Sequence, residues 1–88
     1  MMTLQEAAQT AIDMQTACNL SGVVGSFSRI LTDVLWPEAR RQNQGTDWVN
    51  QHPIAQMFAS KIEDLTRLNY DTTNFSRAYD ACTALAAK

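Results

Sequence analysis

Apolar side chains recur three and four positions apart along almost the whole chain, which is the spacing that places them on one face of an α-helix. Four segments show this pattern, residues 3–18, 20–35, 54–68 and 75–85, and the second is the most strongly amphipathic. No segment alternates apolar and polar residues in the manner of a strand. The pattern predicts an all-α fold: one helical domain over residues 1–88, built as a small bundle of three to four helices with the second helix at its centre.

Residues with known capping and breaking roles predict where these helices begin and end. Thr3 and Glu6 have the spacing of a capping box, so the first helix should begin there. Pro37 lacks the N–H group that would continue the helical hydrogen bonds, and it predicts a kink or a break in the second helix. The sequence "QNQGT" at residues 42–46 predicts a loop, with Thr46 as the N-cap of one short helical turn.

Three further boundaries complete the predicted fold. Pro53 stands at the first position of the next long helix, where its missing N–H costs nothing. Asp71 or Thr72 would cap the last helix. The apolar pattern leaves open whether residues 3–42 form one helix or two. We expect two, because Asn19 can cap a new helix and long uncapped helices are uncommon outside coiled coils.

The stretch "ACNLSGVVGSF", residues 17–27, is the part of the chain that most resembles a chemical site. A phosphate-binding loop does not fit, because both flanks are helical and no lysine follows. A nucleophilic Cys18 would need His52 and an asparagine beside it, but Cys18 falls on the predicted buried face, where thiols are unreactive. His52, just before Pro53, fits the start of a helix better than a base. We expect a packing seam of small residues at which another helix approaches closely: Cys18, Ser21, Gly22 and Gly25.

Composition and charge narrow the classes of function. Seven basic and nine acidic side chains give a net charge of −2, which argues against broad affinity for nucleic acid or an anionic membrane. No apolar run is long enough for a membrane span, and the start "MMTLQEAAQT" has no signal-peptide features. Cys18 and Cys82 lack a C-x-x-C spacing, so we expect free, buried thiols in a reducing, cytoplasmic setting, with a disulfide between them as the alternative. A single histidine gives no reason to expect a metal or a cofactor.

Aromatic and basic residues around the loop at 42–46 are the candidates for binding a partner. Packed together, the aromatic rings would close one end of the bundle; left exposed, they would anchor an interface, since Trp, Tyr and Arg dominate interface hot spots. The arginine pair also complements the end of a helix, which is the simpler explanation for it. The candidate anchors are Trp36, Trp48, Arg40, Arg41 and Tyr70.

A helix-turn-helix formed by residues 54–86 is the alternative that involves nucleic acid. Its second helix would present Asn74, Ser76 and Arg77 to bases or phosphates. The turn lacks the usual glycine, and Arg67 and Arg77 are the only nearby cations. The sequence therefore favours the interaction module over a DNA-binding regulator.

The strings "ACNLSGVV" and "LWPEARRQNQGTDWVNQHPIAQMFASKI" resemble a group of small hypothetical proteins from bacteria, their phages and other mobile elements. In that group "ACNLSGVV" precedes W-x-E-A-R and T-x-W-x-N-x-H-P-I segments, and the resemblance covers residues 14–65. It implies a microbial, cytoplasmic origin and, by analogy, a protein that modulates a host system. It assigns no activity, cofactor or catalytic residue to any position.

These observations together predict a non-enzymatic protein that acts by docking onto another protein or onto itself. The chain is short, so its own core is thin, and a homo-oligomer such as a dimer would bury more apolar surface.

Overall fold

The computed structural model describes residues 2–66 and 72–87, and these residues contain helices and turns but no strand. The all-α prediction is confirmed, although the helices are more numerous and shorter than the predicted three to four. In chain order they are α1 (Leu4–Asp13) with a following 3-10 turn (Met14–Thr16), α2 (Leu20–Ile30), a π-helical turn (Leu31–Leu35), α3 (Trp36–Arg41), α4 (Thr46–Gln51), α5 (Pro53–Thr66) and α6 (Thr72–Ala86).

Side-chain caps fix the starts of α1 and α2. The Thr3 hydroxyl accepts the N–H of Glu6 at 3.1 Å, and the Glu6 carboxylate accepts the N–H of Thr3 at 3.0 Å, so the predicted capping box is confirmed. The Asn19 side chain likewise accepts the N–H of Gly22 at 3.3 Å. The chain leaves helical geometry at residues 17–19, so the expectation of two helices is confirmed and a continuous helix over residues 3–42 is wrong.

Pro37 does not break the helical path, so the predicted break is wrong, while the kink that the sequence offered as the other outcome stays a prediction. Trp36 keeps helical backbone angles (φ −65°, ψ −43°), and α3 continues through Pro37 to Arg41. The irregularity lies one turn earlier, where the N–H of Trp36 donates to the carbonyl of Leu31, five residues back. Such a π-type turn widens the helix locally, and this accommodates a proline that cannot donate a hydrogen bond to the preceding turn.

The loop after α3 is a left-handed helix end. Asn43 has φ 56°, and the N–H groups of Asn43 and Gln44 donate to the carbonyls of Arg40 and Ala39. This is the hydrogen-bond pattern of a Schellman motif, with asparagine in the position that glycine usually takes. The prediction of Thr46 as an N-cap is wrong by one residue, because Gly45 occupies that position without a side-chain hydrogen bond.

Helix α5 lies at the centre of the fold, so the prediction that the second helix is central is wrong. Helix α5 packs against α1, α2, α4 and α6, whereas α2 contributes only Val23 and Ile30 to the fully buried core. The stacked rings of Phe27 and Phe58 join α2 to α5. The buried residues of α5 are Ile54, Ala55, Met57, Phe58, Ser60 and Lys61.

The most extensive contact between two helices uses alanines of α1. Ala7, Ala8 and Ala11 have no exposed surface, and α1 packs most extensively against α6, whose buried residues include Ala78 and Cys82. Small side chains on both helices leave little between their backbones, which permits a short interaxial distance. The small-residue contact that the sequence placed at residues 18–25 is therefore made by α1 and α6. Within the described ranges, no helix is long and apolar enough to cross a bilayer.

Candidate interaction surface

The outer face of α2 carries exposed apolar side chains. Leu20 is 38% exposed and Val24 is 41% exposed, and their spacing of four residues puts them side by side on the helix. Ser21, Gly25 and Ser28 are exposed beside them. The sequence carries no charged side chain from residue 17 to residue 28, so the whole face is uncharged. We call these five residues, Leu20, Ser21, Val24, Gly25 and Ser28, the outer face of α2.

The predicted packing seam belongs to this exposed side of the molecule. Cys18, Ser21, Gly22 and Gly25 are all exposed, so they do not pack helices of this chain together, and that prediction is wrong. A Cβ atom at Gly25 would meet nothing within 4 Å. The four-residue spacing of small side chains is the same on a helix face packed within the chain and on a face exposed to solvent, so the spacing alone could not distinguish the two.

The two cysteines have opposite environments. Both are free, so the alternative of a disulfide between them is wrong. Cys18 is exposed rather than buried, while Cys82 is buried as predicted. Burial raises the pKa of the Cys82 thiol to about 11, which keeps it protonated at neutral pH.

Of the predicted anchors, the tryptophans are half-buried and the arginines are exposed. Trp36 and Trp48 both pack against the core. Arg40 and Arg41 stand in the last turn of α3, and Arg41 forms an ion pair with Glu38 at 3.0 Å. Tyr70 lies outside the described residues. The structure therefore places the tryptophans at the edge of the core, with only part of each side chain accessible to a partner.

His52 caps the start of α5. Its ring Nδ1 accepts the N–H of Ile54 at 3.2 Å, and its carbonyl accepts the N–H of Gln56 at 3.0 Å. Burial lowers the pKa of the His52 ring, and the nearby Glu38 carboxylate opposes this effect. The ring also packs against Trp48, with centroids 5.2 Å apart. Neutral His52 therefore acts as the N-cap of α5, and its Nδ1 lone pair accepts the N–H of Ile54.

Lys61 is a buried, hydrogen-bonded lysine that was not among the residues predicted from the sequence. Its side chain is only 10% exposed, and its ammonium donates to the carbonyl of Gln15 at 3.0 Å, which ties α5 to the 3-10 turn after α1. The sequence does contain an indication of this burial. Lys61 follows Ile54 by seven residues and Met57 by four, so it lies on the apolar stripe of α5. Over residues 2–66 and 72–87, no three His, Cys, Asp or Glu side chains are grouped closely enough to hold a metal ion.

The fold and this surface define the class of protein as a small all-α domain with an exposed, uncharged helix face. Comparison with protein-family models, with curated proteins and with solved structures found no match to the chain. The resemblance to small bacterial and phage proteins thus remains an expectation from the sequence.

Proposed function

We propose that the protein is a non-enzymatic protein–protein interaction module and that the outer face of α2 is its docking surface. The observation that carries this proposal is the exposure of Leu20 and Val24, at 38% and 41%, on a helix face without charge. A helix facing only water normally carries charged residues there, whereas exposed apolar patches mark interaction sites. Covering the remaining apolar surface of these two side chains would contribute about 1 kcal/mol each.

The shape of the face favours another helix as the partner. Leu20 and Val24 carry the large side chains of this face, while Ser21 and Gly25 in the neighbouring row carry a small side chain and none, and nothing lies within 4 Å of a Cβ built at Gly25. Projections and depressions on one face complement a second copy of the same face rotated by a two-fold axis. We therefore propose a second copy of this chain as the partner, in a symmetric contact between the two α2 helices.

Sedimentation velocity over a wide range of protein concentration tests this proposal. We expect the wild type to associate as concentration rises, and Val24→Glu to remain monomeric because it would bury two carboxylates in the contact. Ala84→Glu is the matched control, since Ala84 is exposed on α6 and the variant adds the same charge elsewhere. A wild type that is monomeric throughout would contradict self-association. In that case the two variants would be immobilised and used to capture proteins from cells. If Val24→Glu and Ala84→Glu then retained the same proteins, the outer face of α2 would not be a docking surface for any of them, and the proposal of an interaction module would fail as well.

The DNA-binding alternative has less support from the described residues. Phosphate contacts need exposed cations, but the Lys61 ammonium of α5 is turned inward to the carbonyl of Gln15. Arg77 is exposed on α6, and the side chain of Asn74 lies outside the described residues. Loss of salt-dependent retention on DNA in Arg77→Ala would revive this alternative.

A further inference from the structure

We propose that a half-open pocket beside the C-terminal half of α5 binds a small oxyanion, meaning a carboxylate or phosphate group, through Ser60 and Lys61. The pocket has a volume of about 180 Å³ and is lined by Gln15, Ser60, Lys61, Asp64 and Phe75. A water molecule occupies about 30 Å³ in the liquid, so the pocket has room for an ion with the volume of several waters.

Two buried polar side chains in this pocket retain unused hydrogen-bond donors. Ser60 and Lys61 are each only 9% exposed. The Lys61 ammonium has three N–H donors and makes one hydrogen bond, to the carbonyl of Gln15 at 3.0 Å. The Ser60 hydroxyl makes no hydrogen bond to a described residue, and since no buried side-chain nitrogen or oxygen of these residues lacks a partner, this hydroxyl is open to solvent in the pocket. Two adjacent side chains with spare donors at the wall of a pocket can both be reached by a ligand that accepts hydrogen bonds.

The charge of the pocket selects an anion. A buried ammonium repels a cation, and the ion pair that Lys61 forms with Asp64 is a long one to a half-exposed carboxylate, so an anion in the pocket would add to the compensation of the Lys61 charge. The Asp64 Oδ2 lies 3.6 Å from Lys61 Nζ, too far for a good hydrogen bond, and the Asp64 side chain is 53% exposed. An oxyanion can therefore accept from Lys61 and Ser60 together while Asp64 turns towards water. The Phe75 ring supplies an apolar wall for the rest of the ligand.

Amide chemical-shift titrations with sodium phosphate and with sodium acetate test this inference, with sodium chloride at equal ionic strength as the reference. We expect saturable changes in the amide chemical shifts of Ser60, Lys61, Gln15 and their neighbours. The anion that binds with the higher affinity identifies the preferred group as phosphate or carboxylate. Ser60→Ala should weaken binding several-fold, up to about tenfold, because it removes one donor. Asp64→Asn should strengthen binding, because it removes the competing carboxylate.

Ser76→Ala is the matched control, since it removes an exposed serine on α6 that does not line the pocket and should leave the titration unchanged. Lys61 itself is not replaced, because its hydrogen bond to Gln15 supports the fold. Shifts that chloride reproduces would overturn the inference, and so would equal affinity in wild type, Ser60→Ala and Asp64→Asn. Since none of these variants alters the outer face of α2, failure here is separate from failure of the proposed function.

Discussion

The rings of Phe27 and Phe58 stack face to face, with centroids 5.1 Å apart and planes inclined by 5°. Phe58 has no exposed surface and stands in the middle of α5, whereas Phe27 is half-buried on α2. The stack therefore joins the central helix to the helix whose outer face is exposed. It supports α2 from the inside and leaves Leu20 and Val24 available on the outside.

Replacement of the two rings should have unequal effects on stability. We expect Phe58→Ala to lower the free energy of unfolding by about 3–5 kcal/mol, because it empties a fully enclosed site. Phe27→Ala should cost less, about 1–3 kcal/mol, because part of that ring already faces water. Urea denaturation of both variants measures the difference. If Phe27→Ala lowered the free energy of unfolding more than Phe58→Ala, this would contradict a central α5 and indicate that α2 is the central helix.

Stability should fall as the pH drops from neutral to below 6.5 because of His52. The folded state holds the pKa of His52 below its usual 6.5, so the unfolded chain binds the proton first. The contribution of the neutral ring is complete above the unfolded pKa and is lost as the pH falls towards the lower folded value. Urea denaturation across this range should show the decline in the wild type. His52→Asn, which keeps an N-cap acceptor without a titrating ring, should lose much of the slope.

The Asn19 cap should contribute measurably to stability. We expect Asn19→Ala to lower the free energy of unfolding by about 1 kcal/mol, because the N–H of Gly22 loses its acceptor. Asn19→Ser keeps a capping oxygen and should remain close to wild type. Thermal or urea denaturation distinguishes the two variants. If Asn19→Ala and Asn19→Ser were equally stable, the start of α2 at Leu20 would not depend on a capping oxygen at residue 19.

The two thiols should react with a thiol reagent at very different rates. Exposed Cys18 should be labelled rapidly in the native protein, while Cys82 should react only on unfolding, because it is buried and its pKa is raised to about 11. Counting labelled thiols over time, with and without denaturant, gives both rates. Cys18→Ser should abolish the fast phase and leave the slow one. Rapid native labelling of Cys18→Ser would mean that the α1–α6 contact opens readily.

The parts of the fold that depend on neighbouring residues could be predicted from the sequence. The capping box at Thr3, the short helix at residues 46–51 and the helix start at Pro53 follow from local hydrogen bonding, and all three are confirmed. Local sequence could not reveal that the helix tolerates Pro37, because the π-type turn before it is a cooperative adjustment of several residues. Nor could it reveal which helix is central, since that depends on how the helices meet.

The sequence pointed to the right segment of α2 as a contact surface but assigned it to packing within the chain. The small residues of α2 suggested a contact, but the sequence could not tell whether the contact lies within the chain or faces outward. The four-residue spacing of these small residues is common to both kinds of face, and only the burial of each residue in the folded chain separates them. Lys61 was missed because a lysine is normally expected at the surface, and only its position on the apolar stripe indicated burial.

The most direct test of the central claim is a dilution series followed through the backbone amide signals of the protein. If the outer face of α2 is the docking surface for a second copy, the signals of Ser21, Val24, Gly25 and Ser28 should shift with concentration, and Val24→Glu should show the dilute-state positions at every concentration. Amide signals that do not change with concentration, or changes confined to other helices, would contradict the account.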